Sequence, residues 1–124
     1  SWGIYTAWDR NSKELPRIRK FTQTIPAELN IEFGYTLHIT GAKGEQLEFV
    51  MKHPPFTDDN GNIRPDFTGV HFIPSNDWNF FLGDTIWAPE SDKCGEWTLI
   101  TYLQNKEIAR KTFTIKKEDI SEME

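Results

Sequence analysis

From Ile31 to Ile39 every second residue is apolar: Ile31, Phe33, Tyr35, Leu37 and Ile39 alternate with Glu32, Gly34, Thr36 and His38. Successive side chains of an extended chain point to opposite faces, so this alternation predicts a strand with one buried and one polar face. Gly41-Ala42-Lys43-Gly44 supplies the turn into a second such strand, in which Leu47, Phe49 and Met51 are the apolar set. His53-Pro54-Pro55 ends it, because proline cannot donate to a ladder. The same reading places a first strand over residues 2–8 and an extended segment over 17–25, closed by Pro26. At the other end of the chain, Trp97, Leu99 and Leu103 share one face. Ala109, Phe113 and Ile115 share one face of the next segment, with Lys111 breaking the pattern once. Gln104-Asn105-Lys106-Glu107 between them is short enough for a hairpin.

Across residues 56–89 the pattern is less regular. Asp58-Asp59-Asn60-Gly61-Asn62 is a turn cluster, with Asn60-Gly61 as its hairpin-type signal. Residues 69–73 read as a short strand before Pro74, and Ser75-Asn76-Asp77-Trp78-Asn79 as a polar loop around one Trp. Apolar runs flank Gly83-Asp84, and residues 89–93 read as a linker into the closing hairpin. Helical periodicity and internal repeats are absent. The predicted fold is therefore all-β: an immunoglobulin-like antiparallel β-sandwich of about seven strands with a long irregular middle segment. A small barrel is the alternative. Residues 1–115 form the expected single domain, and 116–124 a charged tail, frayed or a short helix.

Several phrases carry a resemblance. Gly3-Ile4-Tyr5-Thr6-Ala7-Trp8-Asp9, His53-Pro54-Pro55-Phe56, Asp58-Asp59-Asn60-Gly61, and Asn76-Asp77-Trp78 through Gly83-Asp84-Thr85-Ile86-Trp87 resemble a family of small bacterial proteins catalogued as a domain of unknown function. The resemblance runs from about Gly3 to Ile115 and transfers no catalytic or ligand residue. The closing hairpin is similar to those that end bacterial immunoglobulin-like accessory domains. That similarity implies a part that binds or spaces other molecules, an analogy of fold alone.

Composition changes this picture little. The chain has 124 residues, enough for one buried core, and its hydrophobic share of 37% includes five Trp, nine Phe and three Tyr. Aromatics can therefore build the core with few aliphatics. A net charge of −5 argues against nucleic acid or an anionic membrane as main partner. No run is long and apolar enough for a membrane span, and no signal-peptide pattern follows Ser1, although a start without Met leaves secretion open. Cys94 is alone, which forbids an internal disulfide and tilts the expectation toward the cytoplasm.

Candidate chemistry is thin. The 58–62 cluster invites calcium, but a Gly at the sixth loop position would put Phe56 at the first and Phe67 at the twelfth, where carboxylates belong. An ordinary turn is favoured. His38, His53 and His71 match no zinc spacing, and Cys94, in a loop just before Gly95 with no basic signature around it, reads as a structural thiol rather than a nucleophile. Arg10, Lys13, Arg17, Arg19 and Lys20 form the only basic concentration, and edge gatekeeping is favoured over nucleic-acid binding. Trp97 reads as core. Trp78 and Trp87 read first as anchors of the irregular middle, and second as stacking platforms for a sugar ring or peptide side chain.

The leading expectation is a non-catalytic binding or protein-interaction module with a protein or carbohydrate ligand, no cofactor and no metal. Its site is expected in a loop system containing His53, Asp58, Asp59, Asp77, Trp78 and Asp84, since rigid sandwiches carry recognition on loops. The alternative is a carbohydrate-active or metal-assisted hydrolase using carboxylates of those loops. A pocket holding two carboxylates beside a Trp would favour the hydrolase. A flat surface with a free sheet edge would favour protein interaction by strand addition. Self-association is a third possibility.

Overall fold

The computed structural model of the protein describes residues 1–9, 11 and 14–117. Its strands are β1 (Trp2–Tyr5), β2 (Ile18–Lys20), β3 (Thr24–Pro26), β4 (Glu32–Thr40), β5 (Gln46–Lys52), β6 (Phe67–Phe72), β7 (Asp77–Thr85), β8 (Gly95–Leu103) and β9 (Lys106–Lys116). One sheet has the order β2-β1-β4-β7 and the other β3-β9-β8-β5-β6. All pairs are antiparallel except β3 with β9.

Alternation along each strand sets which side chains meet between the sheets. Phe33, Tyr35 and Ile39 of β4 face Leu47 and Met51 of β5, Trp97 and Leu99 of β8, and Phe113 and Ile115 of β9 in one buried cluster. The Phe33 ring stands edge-on to both Trp97 and Phe113, with centroids 5.8 and 5.5 Å away. The one buried hydroxyl pair in this cluster is satisfied: Tyr35 Oη bonds Thr101 Oγ1 and reaches the Leu99 carbonyl at 3.4 Å. Burial pushes the Tyr35 phenol up to about 12.

The closing hairpin forms as expected, on a two-residue turn. Gln104 and Asn105 take φ of 52° and 62°, the left-handed pair that matches the twist of the flanking strands.

Two expectations need correction. The segment 17–25 is not one strand. Its halves, β2 and β3, belong to different sheets, with residues 21–23 crossing between them. The middle is also more regular than its sequence suggests. β7 runs unbroken through Trp78, the apolar run and Gly83-Asp84, so the irregular part shrinks mainly to 53–66. Consecutive apolar residues hid this strand because both of its faces are covered. Leu82 is buried between the sheets, while Phe81 packs outward on Tyr5 with centroids 4.7 Å apart. The expected tail lies largely outside the described residues, β9 itself ending at Lys116. Among the described residues, no helix is long and apolar enough to cross a membrane.

Candidate binding surface at the β6 edge

A two-sheet sandwich has four edges, each a row of unpaired backbone groups open to another chain. Three of them are protected. β2 is three residues long and carries exposed Arg19 and Lys20. β3 is equally short and ends in Pro26. β7 carries Asp77 and Asp84, and the Trp8 indole packs on both Phe80 and Phe81 at 5.8 and 5.5 Å. Those two rings leave opposite faces of β7, so an indole touching both straddles its edge.

β6 is different. Among the described residues it pairs only with β5, over the whole of Phe67-Thr68-Gly69-Val70-His71-Phe72, and it contains neither a charged residue nor a proline. Its outer face presents Val70 at 54% and Phe72 at 62% exposure. Beside it, a shallow hollow of about 250 Å³ lies between Val50, Val70 and Tyr102.

On the inner side, β6 meets the seam where the two sheets part. Phe49 stacks on His71 (5.6 Å, 14°), and His71 stands 4.6 Å from Phe80 across the gap. A cleft of about 390 Å³ opens there, lined by Trp8, Phe49, His71, Phe81, Leu82 and Gly83. Partial burial without a charged partner pulls the His71 imidazole down from its usual range, so the ring is neutral at pH 7. The cleft is thus aromatic and uncharged.

The six residues expected to form a site do not form one. Trp78 and Asp84 are six positions apart on one extended strand, which places them about 20 Å from each other. Asp77 and Trp78 pair with Thr40 and Ile39 near one end of the sandwich, and Asp84 pairs with Phe33 near the other. All three are strand residues, so their expected loop placement is wrong. Trp78 is half-buried with one ring face on Phe80 (4.7 Å, 14°). Exposed Asp77 pairs with His38 on the outer face. Asp84 Oδ1 accepts the Thr85 N–H at 2.8 Å.

His53, Asp58 and Asp59 do lie in a loop. Asp58 Oδ1 accepts the N–H groups of Asn60 and Asn62 at 2.9 and 3.0 Å, the work of a turn-forming aspartate. Asp59 is exposed. His53 Nδ1 and Nε2 reach the carbonyl oxygens of Pro54 and Pro65 at 2.8 and 2.7 Å. The ring packs against Phe56, Phe67 and Trp97, and so ties both ends of the 54–65 loop to the start of β6.

None of Asp58, Asp59, Asp77 and Asp84 lines the seam cleft, the outer hollow or the further hollow lined by Asp9, Glu14 and Arg17. No group of three or more His, Cys, Asp or Glu among the described residues is placed to hold a metal ion. Trp87 packs on Phe56, and the buried Lys93 Nζ lies over both rings at 4.5 and 4.7 Å. Lys93 ends a 3₁₀ turn, Glu90–Lys93, that replaces the expected linker. Sequence reading missed Phe49, His71 and the β6 edge. Among the described residues, 67–72 form the one edge strand without charge or proline, and which strands lie at an edge is set by sheet order.

The fold defines the class as an immunoglobulin-like β-sandwich. A crystal structure of an immunoglobulin-like protein from Pseudomonas aeruginosa superposes on it with a TM-score of 0.76, over 93% of this chain and 90% of that one, at 19% identity. The chain belongs to the family described as Domain of unknown function (DUF3859), whose model matches residues 1–115. No curated protein matches the chain.

Proposed function

We propose that this sandwich is a non-catalytic protein-interaction module that binds by strand addition at β6. The supporting observation is the contrast among its edges: three are short, charged, proline-bearing or covered, while β6 offers six neutral residues with exposed Val70 and Phe72. An added strand gains main-chain hydrogen bonds along such an edge. The rigid sheet behind it supplies a preformed template, so little ordering cost falls on this side of the contact.

The test is retention of proteins from a bacterial lysate by the wild-type chain and by the Val70→Lys/Phe72→Lys variant. A partner held by the wild type and lost by the variant, at unchanged thermal midpoint, supports the reading. Equal retention by both proteins, or none by either, overturns it.

A further inference from the structure

Resting on strand addition at β6, we infer that the added strand is an extended segment of another polypeptide that carries a large apolar side chain, best an aromatic one, seated in the seam cleft. Side chains of an added strand alternate between the two faces of the sheet. At β6 each face has a receptacle. The outer side has the 250 Å³ hollow between Val50, Val70 and Tyr102. The inner side has the 390 Å³ cleft lined by Phe49, His71 and the β7 positions Leu82 and Gly83. Gly69 lies on the inner face of β6 in register with Phe49, and a methyl group there would stand 2.5 Å from the Phe49 ring, so that ring lies directly over the glycine and forms the floor beside the cleft.

Charge fixes the chemistry of the occupant. β6 has no ionised residue, and His71, the titratable group lining the inner cleft, is neutral at pH 7. A charged side chain entering that cleft would be desolvated without a partner. Glu48 borders the outer hollow, so any polar residue of the segment belongs on that side.

Area argues for a segment rather than a second copy of this chain. Val70 and Phe72 together expose on the order of 200 Å², against about 800 Å² per partner in a stable interface. A single peptide strand that fills two hollows matches the smaller figure.

Random linear peptides displayed on phage are panned on the wild-type chain, and the enriched peptides are then titrated against three variants. Val70→Lys/Phe72→Lys charges the edge, His71→Lys charges the cleft, and Trp8→Ala removes one cleft wall; thermal midpoints identify any variant that fails to fold. The expected result is a consensus with one aromatic or large aliphatic residue flanked by alternating positions. Its affinity falls about tenfold or more in His71→Lys, the equivalent of losing at least 1.4 kcal/mol, and in the edge variant. Peptides lost on the edge variant but indifferent to His71→Lys and Trp8→Ala, or with a charged consensus, overturn the cleft assignment and leave strand addition standing. No enrichment over an unrelated sandwich overturns both. A wild-type dimer that the edge variant converts to monomer makes a second copy the occupant and overturns the peptide assignment.

Discussion

A methyl group on Gly83 would stand 2.0 Å from the carbonyl oxygen of Phe33 and 2.7 Å from the Phe81 ring, contacts no side chain can hold. Gly34, opposite it in register, has φ of +155° and the same difficulty against Leu82. The close approach of β4 and β7 therefore depends on two glycines. Gly83→Ala is expected to cost about 1–3 kcal/mol or more through overpacking, read as a lower urea midpoint. His53 matters in another way. Removing its ring frees two carbonyls and empties a site among Phe56, Phe67 and Trp97. His53→Ala should lower stability by about 1–3 kcal/mol and speed thermolysin cleavage before the exposed Ile63, within the loop it ties down. Unchanged cleavage would show that the loop is held by other contacts, such as the Arg64 N–H to Phe56 carbonyl bond.

At the scale of elements, β6 should be replaceable on its outer face without harm to the fold. Val70 and Phe72 are exposed, so lysine at both positions should change stability by no more than about 0.5 kcal/mol. The β8–β9 turn makes the opposite kind of prediction. Gln104 and Asn105 both sit in the left-handed region, where Asn-Gly is favoured, so Gln104→Asn with Asn105→Gly should raise the unfolding free energy by about 1 kcal/mol, read as a higher urea midpoint. Much of this was legible in the sequence. Alternation identified β4, β5 and β8 and their buried faces directly, with Val50 and Ile100 as the apolar exceptions on the other face of β5 and β8. β7 was not legible, because Tyr5 covers its outer face and a strand buried on both faces loses its period. The candidate surface was harder still. An edge is a property of sheet order, and nothing local in Phe67-Thr68-Gly69-Val70-His71-Phe72 says that its second neighbour is missing. The expected loop site failed for the same reason, since the aspartates near Trp78 were read as loop residues when they belong to a strand.

For the whole molecule, the two sheets leave one side of the sandwich open between β6 and β7, and His71 stands in that seam. Its pKa is lowered by burial, so the folded protein disfavours its charged form. The stability associated with neutral His71 is complete above the unfolded value near 6.5 and is lost as pH falls through the folded value. The urea midpoint of the wild type should therefore drop more between about pH 7.5 and 5.5 than that of His71→Phe; equal drops would mean that other groups carry the dependence. The proposed strand addition uses the same seam, because a neutral, aromatic gap beside an unprotected edge suits an apolar strand. The most direct test is amide hydrogen exchange across the chain, free and loaded with a partner retained from lysate. Strand addition predicts slowed exchange concentrated at residues 67–72, with β2 and β3 unchanged. Protection that leaves 67–72 untouched and falls on the 54–65 loop or the β7 edge would contradict it.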